Sequence, residues 1–406
     1  MKKTLLGLAA VLMLSNALSA QIPESKLQDL RVDVVYLASD DLEGRATGSK
    51  GAELAGDYIA SRFEDLGLSP RGTDGWFQTF HFVTYPNPHD STVVLHRSGR
   101  NVIGYLDAGA EETVIVGAHY DHLGYGGAGS RSPGDSLIHN GADDNASGVA
   151  GLLEIARQVK SEGMKANNVL FIAFSGEELG LFGSKYFVNN PTVDLNRVKY
   201  MINLDMVGRL RESLIVGGAG TSPTFIPLLN STDHTGFAIK VDSSGLGPSD
   251  HASFYLKNIP VLHLFTGQHK DYHKPSDDSP LINYAGIYEV ASYATKIIES
   301  LDQPEALTFT KTHDQDPRRA AAFKVSLGVM PDYAYDGKGL RIDAVFDDRP
   351  AAKAGLMAGD VVVELGGYSV GDIYQYMEAL SKFSKGDHAA VVVKRGEEKV
   401  ESEIEF

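Results

Sequence analysis

The chain has 406 residues, 43% of them hydrophobic, so it is long enough for two domains and apolar enough to bury a core. Its formal net charge of −16 argues against nucleic acid as a partner, because an acidic surface repels phosphate backbones. The absence of cysteine excludes disulfides, thiolate metal sites and a cysteine nucleophile. A metal bound to this protein must therefore be held by histidine and carboxylate side chains.

Residues 1–20 have the pattern of a secretory signal. Lys2 and Lys3 precede an apolar run at 4–14, which is too short to cross a bilayer core of roughly 30 Å. Small residues follow, and Ala20 fits a cleavage point. The alternative is a short buried helix. The pattern predicts export to the periplasm or the medium, and no later segment is long and apolar enough to span a membrane.

Residues 21–301 alternate between short apolar runs and helical stretches. The apolar runs, rich in Val, Ile and Phe, predict buried strands at 113–118, 168–174, 198–204, 214–216 and 260–265. Helical patterns occur at 51–66, at 147–162 behind a Ser147 cap, and at 283–301. This alternation indicates an α/β unit whose sheet is covered on both faces.

Beyond this unit, residues 302–320 are polar, contain two prolines and are interpreted as a linker that could lie against either neighbouring unit. Residues 321–406 form a smaller unit with several short strands.

Acidic residues and histidines cluster at the carboxyl ends of the predicted strands, where open α/β sheets place their ligands. In chain order they are His119, Asp121 and His122, then Asp143 and Asp144 before a helix, then Glu177 and Glu178, Asp205, and Asp271 to His273. A site with two zinc ions needs a bridging carboxylate, further His or carboxylate ligands, and a free carboxylate to accept a proton. Five such groups of residues in this order are specific evidence for a site with two metal ions.

These residues resemble the co-catalytic zinc aminopeptidase family, which includes bacterial leucyl aminopeptidases and glutamate carboxypeptidase, with glutaminyl cyclases and the transferrin receptor as divergent relatives. The resemblance runs from about Leu37 to Leu301 and begins with the segment LASDDLEGRATG at 37–48. It implies a zinc-exopeptidase-like three-layer sandwich around a central mixed β-sheet.

The resemblance also implies a cofactor of two Zn²⁺ ions and a role for each residue. The implied metal ligands are His119 and Asp205 on one ion, Glu178 and His273 on the other, and Asp144 as the bridge. Three further residues are implied to act in catalysis: Glu177 as the general base, Asp121 accepting a hydrogen bond from His119, and Tyr272 donating to the developing oxyanion. The peptide bond after Asp144 is expected to be cis.

Other polar residues near these motifs have simpler interpretations. His122, His139, His251 and His269 are expected to be structural, with a supporting or substrate-contacting role as the alternative. Asp143 is expected to cap a turn or helix. The run Ser249-Asp250-His251 is not interpreted as a serine triad, because adjacent residues cannot face one another in an extended segment.

The C-terminal unit contains the pattern AAKAGLMAGD at 351–360, followed by an apolar run at 361–365. This pattern resembles PDZ domains of bacterial proteases. The resemblance implies that Ser326 to Val329 hold a peptide carboxylate, that 372–382 form the helix of the groove, and that an extended peptide or protein C-terminus binds there. The alternative is a module used for packing or assembly.

Together these patterns predict an exported two-zinc metallo-exopeptidase acting on peptides, most specifically an aminopeptidase. The alternatives are another co-catalytic zinc hydrolase such as a dipeptidase or carboxypeptidase, a glutaminyl cyclase, or an inactive peptide-binding protein.

Overall fold

The computed structural model describes residues 22–84, 95–127, 129–132, 136–234, 236–312, 325–331, 335, 337–371 and 373–406. The predicted signal segment and residues 313–320 of the predicted linker lie outside the described residues. Within the described residues, every helix is too short or too polar to traverse a bilayer.

The first unit contains seven helices and nine strands among the described residues. The helices are α1 (Glu24–Leu37), α2 (Lys50–Asp65), α3 (Gly148–Glu162), α4 (Phe182–Asn189), α5 (Phe225–Ser231), α6 (His251–Tyr255) and α7 (Tyr284–Ser300). The strands are β1 (Ser69–Pro70), β2 (Phe77–Thr84), β3 (Leu95–Leu106), β4 (Glu112–His119), β5 (Asn167–Phe174), β6 (Val198–Leu204), β7 (Ser213–Gly217), β8 (Ala238–Val241) and β9 (Val261–Phe265).

These strands form one mixed sheet in the order β1-β3-β5-β4-β6-β9-β7-β8, with β2 paired to β3. The central strands β5, β4, β6 and β9 are parallel, whereas β3 and β7 run antiparallel to their central neighbours. Helices α1, α2, α3 and α7 bury their apolar sides on one face, and α4 and α6 cover the other. The structure therefore confirms the α/β three-layer fold with a central mixed sheet.

The five predicted strands all form, with ends shifted by at most one residue. Strands β4, β5 and β6 are buried almost throughout, as expected for apolar runs in a sheet covered on both faces, whereas Ile215 of β7 and His263 of β9 are half-buried. Ser147 occupies the N-cap position of α3, as expected, but its side chain makes no capping hydrogen bond. Its hydroxyl instead donates to the carboxylate and main-chain oxygen of Asp143 and accepts the N–H of Val207, so it holds two loops together.

The second unit is a small antiparallel sheet with two short helices. Its elements are β10 (Val329–Pro331), β11 (Leu340–Val345), α8 (Pro350–Lys353), β12 (Val361–Leu365), β13 (Tyr368–Ser369), α9 (Ile373–Leu380), β14 (His388–Arg395) and β15 (Glu398–Glu405). The strand order is β10-β11-β12-β14-β15, with β13 paired to β12. Strand β10 lies at the edge of this sheet within the described residues, as the edge of a peptide groove must. Helix α9 falls within the predicted groove helix.

The two units share an apolar cluster. Met330, Ala344 and Phe346 of the second unit belong to the same buried cluster as Phe254 of the first, and Phe309 packs against it. The first part of the predicted linker lies against the first unit, because the N–H of Thr310 donates to the carbonyl of Thr221 at 2.8 Å. Nearby, Lys185 Nζ of α4 lies 2.5 Å from Asp343 Oδ2 of β11.

Candidate metal centre

The candidate ligands meet at one edge of the large sheet. His119 is the last residue of β4, and Glu177 and Asp205 follow the ends of β5 and β6. Because these strands are parallel neighbours, their carboxyl ends lie side by side. The chemistry is therefore built at the strand ends, where the sequence predicts it.

The first group of ligands consists of His119, Asp144 and Asp205, whose ligand atoms all lie within 4.8 Å of one another. Nε2 of His119 is 3.4 Å from Oδ1 of Asp144 and 3.5 Å from Oδ1 of Asp205. His119 is 1% exposed, so its imidazole is surrounded by protein atoms.

The second group lies on the other side of Asp144. It consists of His122, Asp144 and Glu178. His273 joins these residues, because its Nε2 is 3.1 Å from Oδ2 of Asp144 and 3.2 Å from Oε2 of Glu178. The two oxygens of Asp144 therefore face different groups, Oδ1 toward His119 and Oδ2 toward His273. This is the position that a bridging carboxylate requires.

Asp144 is held firmly by its surroundings. Its main-chain N–H and that of Asp143 both donate to Oδ2 of the buried Asp277, at 3.0 and 2.9 Å. The peptide bond between Asp144 and Asn145 is cis, as expected. Gly141 has φ +56°, and a Cβ there would lie 2.1 Å from the carbonyl oxygen of Asp144, so only glycine fits.

Asp121 contacts both His119 and Glu177, and the hydrogen bond from His119 that the resemblance implies goes to its main-chain oxygen. Nδ1 of His119 lies 3.2 Å from the main-chain oxygen of Asp121 and 3.8 Å from its carboxylate. The hydrogen bond that orients the imidazole is thus to the carbonyl. The carboxylate of Asp121 instead accepts the hydroxyl of Thr47 at 2.8 Å and the main-chain N–H of Glu177 at 3.1 Å.

Charges interact strongly across the site. Burial disfavours the charged imidazoles, but the carboxylates of Glu177, Asp144 and Asp205 outweigh it and hold the pKa of His119 well above its usual value. In the same way, the pKa of His273 is raised to about 11. Burial also disfavours the Glu178 carboxylate, but the nearby imidazoles outweigh it and lower its pKa to about 2.

Glu177 behaves differently from Glu178. Its pKa is raised well above the usual value, first by burial and then by the carboxylates of Glu178, Asp205 and Asp250, against the opposing effect of His119. The two adjacent glutamates are therefore driven in opposite directions. Such a divergence is typical of a pair in which one carboxylate binds cations and the other exchanges protons.

Tyr272 lies beside the second group. Its ring stacks on His273 at a centroid distance of 3.8 Å, and the guanidinium of Arg131 lies 4.5 Å from the Tyr272 ring centroid. His273 has φ +57° and its Nδ1 is 2.8 Å from the carbonyl oxygen of Gly129, so its ring is fixed by main chain on one side and by Tyr272 on the other.

The remaining polar residues have structural contacts. Asp143 accepts the N–H of Gly208 at 2.6 Å and lies 3.1 Å from Nε2 of His269. Ser249 accepts an amide hydrogen of Asn203 at 2.8 Å, whereas His251 stacks on His263 with centroids 4.4 Å apart. These contacts give no geometry for a serine triad.

Three functional neighbours receive no catalytic or ligand role from the sequence, although Arg45 and Thr47 lie in the 37–48 segment that carries the resemblance. Nδ1 of His122, expected to be structural, lies 2.8 Å from Oε1 of Glu178. Thr47 supports Asp121, and Arg45 lies fully buried behind the ligands. Both precede the first ligand by more than seventy positions in the sequence. Of the three, His122 has the strongest sequence signal, because it lies three residues after His119 and a second histidine at a strand end indicates a second ligand group.

The donor set suits zinc. Each group offers imidazole nitrogen and carboxylate oxygen within 4.8 Å, and one carboxylate serves both groups. Imidazole and carboxylate are common zinc ligands, and zinc pairs in hydrolases lie roughly 3.5–4 Å apart. The residues therefore fit two zinc ions.

Comparison with known proteins gives two family matches. Residues 101–298 match the sequence model of peptidase family M28, and residues 309–406 match that of the PDZ domain. Leupeptin-inactivating enzyme 1 of Streptomyces exfoliatus is 29% identical over 242 residues, which cover 59% of this chain and 48% of that protein. Aminopeptidase YwaD of Bacillus subtilis (strain 168) is 29% identical over 219 residues, covering 50% of this chain and 45% of that protein. The chain thus spans about half the length of these relatives.

Solved structures share the fold of the first unit. An aminopeptidase from Aneurinibacillus sp. strain AM-1 superposes with a TM-score of 0.55 at 18% identity, covering 70% of this chain and 95% of that one. A glutaminyl cyclase from Porphyromonas gingivalis superposes with a TM-score of 0.52 at 20% identity, covering 68% and 97%. At such identities the matches establish the fold alone.

Proposed function

We propose that this chain, in which residues 101–298 belong to peptidase family M28 and residues 309–406 to the PDZ family, is a two-zinc metallopeptidase that removes amino-terminal residues from peptides. The observation that carries the proposal is the placement of Asp144, whose two oxygens face two separate groups of ligands. The relative described as an aminopeptidase, YwaD of Bacillus subtilis, supports the choice of substrate.

In this proposal His119, Asp144 and Asp205 hold one zinc ion, and Asp144, Glu178 and His273 hold the other. When bound, the ions would lower the pKa of a water molecule and polarise the scissile carbonyl. His122 donates to Glu178 and so orients that ligand.

Glu177 is the general base. It accepts the proton of the attacking water and returns it to the leaving amine. Asp121 holds the main chain of Glu177 in place. Tyr272, stacked on His273, supplies a hydroxyl for the oxyanion that forms at the attacked carbonyl.

Replacement of Glu177 by Gln tests this assignment. We expect Glu177→Gln to retain two zinc ions and lose at least about 100-fold in kcat, because the amide cannot take a proton. The exposed Glu53, which pairs with Lys50 on α2, offers the control Glu53→Gln with wild-type kcat. Near wild-type turnover in Glu177→Gln would refute the assignment of the base.

A second candidate is glutaminyl cyclisation, because glutaminyl cyclase structures share this fold. A peptide with N-terminal glutamine separates the two reactions. A hydrolase releases free glutamine and a shortened peptide, whereas a cyclase releases ammonia and keeps the chain length. Comparing free-amine with N-acetylated peptides then tests the aminopeptidase assignment, since equal cleavage of blocked peptides contradicts it.

We also propose export and peptide capture. Export is supported by the charge and apolar pattern of residues 1–20, and N-terminal sequencing of the protein from the periplasm or medium tests it. Capture of a peptide C-terminus along β10 is supported by the edge position of that strand beside the Ser326 to Val329 loop. Binding of C-terminal peptides, compared with their amidated forms, tests the second proposal.

A further inference from the structure

Arg45 is a fully buried arginine whose guanidinium donates hydrogen bonds to main-chain oxygens of three separate segments. Nε donates to the oxygen of Tyr120 at 2.8 Å, and Nη2 to that of Gly141 at 3.1 Å. Nη1 donates to the oxygen of Asn140 at 2.6 Å and also to that of Leu37. None of the ion pairs found among the described residues involves Arg45, so these carbonyls are its principal partners.

Two of these segments carry metal ligands. Tyr120 lies between His119 and Asp121, and Gly141 begins the loop that leads to Asp144. The planar fork of one guanidinium therefore spans the segment of the terminal ligand and the segment of the bridging ligand. A lysine could not reproduce this, because its ammonium is a point donor without the fixed directions of the fork.

The main chain around Arg45 strengthens the same link. Its carbonyl oxygen accepts the N–H of His122 at 3.3 Å, so the 119–122 segment is held from both sides. Arg45 has φ +50°, a conformation that non-glycine residues rarely adopt. At the preceding Gly44, a Cβ would lie 2.5 Å from the main-chain oxygen of His139 and 2.6 Å from that of Gly124. The main chain before Arg45 therefore packs closely against the segments that follow His122 and precede Gly141.

We propose that Arg45 is a positioning residue that fixes the separation of the His119 and Asp144 segments and thereby sets the geometry of both metal positions. The inference rests on the proposed metallopeptidase function. It assigns a role to the segment LEGR at 42–45, which contributes no metal ligand.

Zinc binding by the full-length protein tests this inference. Zn²⁺ is titrated by calorimetry into metal-free wild type, Arg45→Lys and Arg45→Met, and the absorption spectrum of the Co²⁺-substituted proteins reports ligand geometry. We expect Arg45→Lys to bind zinc at least about 10-fold more weakly and to change the Co²⁺ spectrum while its circular dichroism stays that of wild type.

The matched control is Arg62→Lys. Arg62 is another arginine that joins two segments. Its Nε donates to the buried carboxylate of Asp33 at 2.8 Å and so links α2 to α1, away from the ligands. We expect this variant to lower thermal stability without changing zinc affinity or the Co²⁺ spectrum. An equal loss of zinc affinity in both variants would overturn the inference, since it would then reflect general destabilisation.

Arg45→Lys with wild-type zinc affinity and Co²⁺ spectrum would overturn the inference alone. Failure of both Arg45 variants to fold in excess Zn²⁺ would also overturn it, because the arginine would then be required by the fold and not by the metal geometry. Wild-type protein that binds no zinc would overturn the proposed function and this inference with it.

Discussion

The carboxylate of Asp121 accepts the main-chain N–H of Glu177 at 3.1 Å, which ties the proposed base to the end of the neighbouring strand. The other carboxylate oxygen accepts the hydroxyl of Thr47 at 2.8 Å. Asp121 thus connects the segment before α2, the end of β4 and the loop after β5. In the proposed mechanism this link holds Glu177 at a fixed distance from the ligands.

Asp121→Asn is expected to lower kcat by about 10–100-fold while leaving two zinc ions bound. The amide keeps the shape of the side chain but loses the charge and one acceptor, so the Glu177 loop is held less firmly. Steady-state kinetics and metal analysis of the same preparation check this. Thr47→Val, which removes only the hydroxyl bond, serves as the control and should change kcat by a few-fold at most.

Asp144→Asn should remove zinc from both positions, since Asp144 belongs to both groups of ligands. Asp205→Asn should remove only one ion, because Asp205 belongs to the first group alone. Metal analysis after dialysis against metal-free buffer compares the two variants. If Asp144→Asn keeps two ions through dialysis, the bridging assignment is incorrect.

The sequence predicted the central strands because each is a continuous apolar run. The candidate residues His119, Glu177 and Asp205 each follow such a run, whereas Asp144 precedes a helix pattern and its bridging role is implied by the resemblance. The sequence could not predict Arg45, whose partners are main-chain oxygens that any sequence provides. Nor could it predict the hydrogen bonds of Ser147, because a serine before a helix pattern normally caps it. The sequence places Asp121 two residues after His119, but it does not say which of the oxygens of Asp121 accepts from the imidazole.

The contact between the two units was also beyond prediction. Met330 and Phe346 lie in the apolar patterns expected inside a small domain, yet they share a cluster with Phe254 of the large unit. Successive side chains of a strand point to opposite faces of the sheet, and the sequence does not show what packs against the face turned away from the core of the second unit. Strand β10 shows this: Val329 packs into the core of its own unit while Met330 faces the other unit.

Removal of residues 321–406 is expected to leave cleavage of small chromogenic peptides largely intact, because no proposed ligand or base lies there. It should nevertheless destabilise the large unit, since the cluster around Phe254 loses Met330 and Phe346. A loss of about 2 kcal/mol from exposed apolar surface corresponds to a decrease of roughly 4–8 °C in Tm.

Calorimetry and kinetics of the truncated protein check both parts of this expectation. The control is full-length Lys382→Met, which removes the cation of the exposed Lys382 and Glu378 pair in the second unit and should change stability by less than about 1 kcal/mol. A folded truncation that no longer cleaves small substrates would show that the second unit takes part in catalysis.

The stability of the second unit should depend on pH through Asp360. Burial disfavours its charge, but two hydrogen bonds from Arg395, both at 2.7 Å, and one from the N–H of Met357 outweigh it and lower its pKa below the usual 3.8. A depressed pKa in the folded state stabilises the fold above the unfolded pKa, and this contribution is lost as the pH falls through the folded pKa.

Asp360→Asn should therefore lower the Tm of the second unit by on the order of 5 °C at neutral pH. The difference from wild type should begin to shrink below about pH 4, where Asp360 of the unfolded chain takes up a proton, and should be lost once the pH falls below the lower pKa of the folded state. Calorimetric scans of the full-length proteins between neutral and acidic pH measure this difference. Glu401→Gln, on the exposed side of β15, removes an exposed carboxylate and should show a small difference at every pH. A Tm difference for Asp360→Asn that persists undiminished into acid would mean that packing at Asp360, and not its charge, stabilises this turn.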